Sequence, residues 1–142
     1  MIQKDYFLRM IEEAAYFVSR LMGLREESRY GEVEKLLDQA YGGWFPFDRA
    51  VIMQTDPEEL PEFLERSAQL APEQFSVLAD LLREESETWF AQGQWERGQH
   101  LLRCALSILR HLNAKDPDLF SFPRQEKIQS MADRLQGLEN ED

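Results

Sequence analysis

The chain has 142 residues, 43% hydrophobic and 30% charged, with 27 acidic against 16 basic side chains and a net charge of −11. That length suits a single domain able to bury roughly 68–70% of its unfolded surface, and the composition is globular rather than disordered. The acidic excess repels phosphate backbones and anionic membranes, so neither a nucleic acid nor a membrane is expected as a partner.

One cysteine, Cys104, cannot form an internal disulfide, which excludes an extracellular disulfide framework. The N-terminal stretch carries Glu12 and Glu13 in its middle and has no uninterrupted apolar core. Neither a signal peptide nor a spanning helix is expected there, and the expected location is the cytoplasm.

The first predicted element is a long helix whose apolar residues recur at Ile2, Tyr6, Met10, Ala14, Phe17, Val18, Leu21 and Leu24. "LREESRYG" turns the chain into a second helix from about Gly31 to Tyr41, with Val33, Leu36, Leu37 and Ala40 inward. Gly42-Gly43 is expected to stop it. A short helix follows Pro46 with Asp48 as cap. Another starts at Thr55 or Asp56, with Pro57 near its first turn and Leu60, Phe63, Leu64 and Ala68 as its stripe. Pro72 opens a long helix that Gly93 ends. "WERGQHLLRCALSILRHLNA" is the next. After "KDPDLFSFP" a last amphipathic helix uses Ile128, Met131 and Leu135 and runs to about Gln136, leaving "GLENED" as a solvated end. No segment alternates as a strand would, so the expected fold is all-α, with six to seven helices.

Two stretches repeat at a separation of 65 residues. "SRYGEVEKLLDQAY" (Ser28–Tyr41) and "GQWERGQHLLRCAL" (Gly93–Leu106) align Tyr30 with Trp95, Leu36-Leu37 with Leu101-Leu102 and Ala40 with Ala105. Each copy reads as a long helix, a polar turn, an aromatic and a returning helix. Tyr30 and Trp95 are expected to be buried in equivalent positions between their helices. A helix pair of this kind needs stacked neighbours to cover its second face.

The order Leu82, Ser86, Trp89, Gly93, Trp95, Gly98, Leu102, Ala105 resembles the tetratricopeptide repeat. Phe17, Leu24, Tyr30, Val33, Leu37 and Ala40 correspond in the first copy. Arg20 and Glu85 depart from its leucines, Leu21 replaces a small residue, and Ser28 stands at the equivalent of Gly93. The resemblance covers under half the chain. Nearly the whole chain is also similar to a small uncharacterised bacterial family classed as a domain of unknown function, which implies no activity.

The expected organisation is one domain over 1–142. It comprises hairpin one (about 2–43), inserted helices (about 47–70), hairpin two (about 72–114) and a capping helix (about 123–136). The resemblance implies a concave groove lined by Ala15, Val18, Met22 and Arg25 of the first copy and Asp80, Arg83, Glu87 and Phe90 of the second. Such a mixture of apolar and charged side chains suits a peptide. The same residues could equally serve intramolecular packing.

Chemistry has fewer candidates. His100, Cys104, Ser107 and His111 project from one side of the fifth long segment, and His100 with Cys104 could hold a soft metal. His111 is too far along the axis to join them, and the plainer reading is a packing stripe. The pairs Glu12-Glu13, Glu58-Glu59 and Glu84-Glu85 read as solvated faces, because neighbours on a helix point about 100° apart. In "YGGWFPFD" (Tyr41–Asp48), Trp44 and Phe47 are expected to plug a gap between helices. There is no phosphate loop or nucleophile elbow. No catalytic residue, cofactor or metal is expected. The expected function is a non-enzymatic protein- or peptide-interaction module, which could self-associate as a homo-oligomer. The alternative is a helical-bundle enzyme or small-ligand binder without a recognisable motif.

Overall fold

The computed structural model describes residues 2–115 and 122–139, with side chains from Asp5 onward. These residues form seven helices and no strand: α1 (Ile2–Glu26), α2 (Tyr30–Trp44), α3 (Ala50–Gln54), α4 (Leu60–Ser67), α5 (Pro72–Ala91), α6 (Trp95–Lys115) and α7 (Phe122–Glu139). None of them is long and apolar enough to cross a membrane. The expected linker before α7 lies outside the described residues.

Helices α5 and α6 share the most extensive contact. They run antiparallel, since Phe75 meets His111 at one end and Phe90 lies against Gly98 at the other. Leu78, Leu81 and Leu82 of α5 and Leu101, Leu102 and Ile108 of α6 are fully buried. Burying each such side chain contributes about 1.5–3 kcal/mol. Helices α1 and α7 flank α5. Asp80–Lys127, Arg83–Ser130 and Glu87–Arg134 each span 47 residues, a constant offset that makes α5 and α7 parallel. Helices α3 and α4 pack on α6, where His100 Nε2 donates to the Ile52 carbonyl at 2.8 Å.

The 65-residue repeat extends to the hydrogen bonds of the two turns. Ser28 N–H donates to Arg25 O and Arg29 N–H to Leu24 O; Gly93 N–H donates to Phe90 O and Gln94 N–H to Trp89 O. Ser28 (φ 59) and Gly93 (φ 76) are both left-handed. Glycine adopts that conformation freely, whereas serine there is uncommon. The turns are equivalent; the aromatics after them are not. Tyr30 is half-buried, but Trp95 is 49% exposed, against the expectation that both are enclosed. Trp95 stacks outside Phe90 at 5.4 Å between centroids. Phe90 takes the interior volume, over a glycine at the position equivalent to Val33.

Three boundaries differ from those expected. Helix α2 passes through Gly42-Gly43 and stops at Trp44, neither glycine having positive φ. The extra turn is held by Trp44 packing edge-on against Phe17 (5.3 Å) and by Gln74 Nε2 donating to the Trp44 carbonyl (3.3 Å). Asp56, not Thr55, caps the next segment: its carboxylate accepts from Glu58 N–H at 2.9 Å, and regular helix begins only at Leu60. Helix α7 continues to Glu139 because Leu138 is buried, so "GLENED" is not wholly a solvated end.

A Cβ built on Gly98 would stand 2.3 Å from the Phe90 ring, which is itself backed by Trp95 and by the Arg134 guanidinium at 5.1 Å. Gly98→Ala is expected to cost about 1–3 kcal/mol by overpacking. Gly42→Ala, whose added methyl meets nothing within 4 Å, should instead gain about 0.5–1 kcal/mol. Urea unfolding of the two variants checks the opposite signs.

Candidate functional site

Two features concentrate polar side chains: a groove over α5 between α1 and α7, and a buried charge cluster where α2, α3 and α5 meet. The groove has a volume of about 540 Å³, with Ile11, Ala14, Ala15 and Val18 of α1 on one wall and Val77 and Ser76 of α5 beneath. Asp80, Arg83, Glu84 and Lys127 edge it. On α1, the residues Met10, Ala14 and Leu21 are buried, whereas Leu8, Ile11 and Met22 are 51%, 40% and 39% exposed.

The eight residues expected to line an open groove divide. Met22 is exposed on α1. Arg25 is half-buried and turns onto α5, donating to the Glu84 carbonyl (3.1 Å) and carboxylate (3.3 Å). On α5, Lys127 holds Asp80 at 3.0 Å, Ser130 accepts from Arg83 at 2.9 Å, and Arg134 binds Glu87 at 3.1 Å. Phe90 is 5% exposed beneath the Arg134 guanidinium, so it is interior and offers no open anchor. Helix α7 thus covers the part of the face nearest the α5 C-terminus. What stays open is the α1 side, through Ile11, Ala15 and Val18.

The charge cluster was not visible as a cluster in the sequence. Glu85 is 5% exposed, so the expectation of a solvated Glu84-Glu85 face fails for both residues: Glu84 binds Arg25 and Glu85 binds Arg49. Arg49 Nε donates to Glu85 Oε1 at 3.1 Å, and its Nη2 also reaches that oxygen. Arg49 also bridges Glu34 (2.9 and 3.1 Å) and Asp38 (2.8 Å), and lies 5.5 Å from the Tyr41 ring centroid. The Tyr41 hydroxyl donates to Glu85 Oε2 at 3.3 Å. Burial lifts the Glu85 carboxyl above its ordinary value, while Arg49 pulls it back. Burial pushes the Tyr41 phenol well up, and the Glu85 charge adds to this. Burial would lower the Arg49 pKa, but hydrogen bonds and charge from Glu34 and Glu85 hold it above the ordinary value. One signal pointed here: Glu85 stands where the resembled repeat has leucine.

A cavity of about 550 Å³ opens beside this cluster, with Trp89 and Arg97 on its far side. Every hydrogen-bonding atom of the Arg49–Glu85–Tyr41 set is directed at another member of the cluster. That arrangement is suited to joining three helices.

The histidine and cysteine stripe is divided among separate neighbours. His100 donates to α3, and His111 Nε2 donates to Glu65 Oε2 at 2.6 Å. Lys115 and His111 hold the Glu65 carboxyl below its usual range. Cys104 is fully buried, and burial pushes its thiol up to about 12. Among the described residues no three His, Cys, Asp or Glu side chains converge as metal ligands. The Tyr41–Phe47 aromatics close a gap: Tyr41 and Phe45 are buried at 5.7 Å, Phe47 lies 5.6 Å from Phe45, and Trp44 meets Phe17. Comparison with known proteins gives no match to a family model, a curated protein or a solved structure.

Removing Arg49 leaves Glu85 buried without its counter-charge, so Arg49→Met should lose about 3–5 kcal/mol near neutral pH. A carboxyl raised above its ordinary 4.5 binds its proton more tightly in the folded chain than in the unfolded one. Stability from this group therefore falls as pH rises from 4.5 through the folded value. The rise is larger without Arg49. Urea midpoints should show Arg49→Met recovering part of its loss toward about pH 5, and the double variant Arg49→Met/Glu85→Gln showing no such recovery.

Proposed function

We propose that the protein is a non-enzymatic interaction module that takes a protein or peptide partner in the groove between α1 and α5. The observation that carries this reading is the apolar wall of α1: Leu8, Ile11 and Met22 stay exposed beside a 540 Å³ groove. Contiguous exposed apolar surface of this kind costs solubility unless a partner covers it. The matched turns 65 residues apart support the tetratricopeptide-like part of the reading, while the exposed Trp95 argues against a close member of that class. A buried free thiol and the net charge of −11 are in keeping with a soluble, cytoplasmic protein.

The reading is tested by selecting peptides from a displayed random library on the immobilised protein, then titrating an enriched peptide by calorimetry. Ile11→Asp should weaken binding by about tenfold or more, since it sets an unpaired charge in the contact. Arg110→Glu, on an exposed part of α6, should leave affinity unchanged. Failure to enrich any peptide, or equal affinity for both variants, would overturn the groove as a binding site.

A further inference from the structure

Helix α1 carries two apolar stripes where a surface helix needs one. Met10, Ala14, Phe17, Leu21 and Leu24 form the first and pack into the core. Leu8, Ile11, Ala15, Val18 and Met22 form the second, at steps of three, four, three and four. Ala15 is exposed like Leu8, Ile11 and Met22, whereas Val18 is half-buried and packs in part against the core. Strict three–four alternation is the narrow seam by which one helix receives another, each side chain entering a gap between four on its partner. From Leu8 to Met22 the seam is about 21 Å long at 1.5 Å per residue, enough for four turns of a second helix.

The charges beside the seam select the occupant. Within the groove, Asp80, Arg83, Glu84 and Glu87 already have partners on α1 or α7. The outer edge differs. Asp5, Glu12 and Glu26 recur at seven-residue steps, with Ser19 completing the row, and all are exposed. These positions fall three or four residues from the seam residues, so they form its solvent-side lip. Arg9 stands one position further round the helix. No ion pair joins the three acids to another described residue.

We propose that the α1 seam docks an amphipathic helix of a partner protein that bears lysine or arginine along one flank of its apolar stripe. This rests on the interaction-module reading above and adds the conformation and charge of the partner. The basic flank meets Asp5, Glu12 and Glu26 while the apolar stripe covers Ile11, Ala15 and Val18. A second copy of this chain fits less well, because seam-to-seam pairing brings two acidic lips together on molecules that each carry −11.

Two synthetic helical peptides of about 18 residues test this, with the same leucine stripe and either lysine or glutamate along one flank. Fluorescence anisotropy should show the lysine peptide binding at least about tenfold tighter than the glutamate peptide, with the difference shrinking as salt rises. Ile11→Asp should abolish binding of the lysine peptide. Glu12→Lys/Glu26→Lys, which leaves the apolar seam intact, should erase or reverse the charge preference. Equal binding of both peptides, tighter binding of the glutamate peptide, or a lysine peptide indifferent to Ile11→Asp overturns the inference. If neither helix binds but a library-selected peptide still does, the inference falls and the interaction module stands; if nothing binds, both fall. Sedimentation showing a dimer abolished by Ile11→Asp would assign the seam to a second copy and also overturn the proposal.

Discussion

The guanidinium of Arg49 is the point at which three segments of the chain become one structure. It precedes α3, yet its donors end on α2 through Glu34 and Asp38 and on α5 through Glu85. The inserted segment otherwise packs on α6 through its two short helices and on α2 through Phe47 against Tyr41. A planar fork with five donors can serve three carboxylates at once, which an ammonium on a flexible stem does poorly. The net acidity of the chain has a local consequence here, since a single cation collects several of its excess anions.

The remaining helices are arranged around that junction by apolar packing. Helix α5 is covered on three sides: by α6 through their extensive contact, by α1 through its inner stripe, and by α7 through charged links laid over Phe90. The α1 edge keeps Leu8, Ile11 and Met22 open to solvent in one stripe, whereas Met53, Phe63, Trp95 and Phe122 are exposed on separate helices. The proposed interaction surface lies on that α1 edge.

The helices themselves were legible because their apolar periodicity is long and regular, and seven helices fall where six to seven were expected. The 65-residue repeat was legible because turn chemistry is local: Ser28 and Gly93 are bent alike and bonded alike. Trp95 was misread for a tertiary reason, since Gly98 lets Phe90 take the interior place and leaves the indole outside. Glu85 was misread because its partner is 36 residues away in sequence and no periodicity records such a pairing. The groove was half legible. Its α1 side follows from helix register, whereas the cover supplied by α7 depends on an ion register between distant segments.

Cys104 gives the molecule a property unrelated to partners. Its thiol has no solvent exposure, and burial pushes its pKa up to about 12, which keeps the thiolate scarce. Nucleophilic attack requires both access and ionisation, and each is restored only when the helices packed around α6 open. As the chain has no second cysteine, the slow consumption of this thiol by an alkylating reagent keeps time on one event alone, the opening of the core around α6.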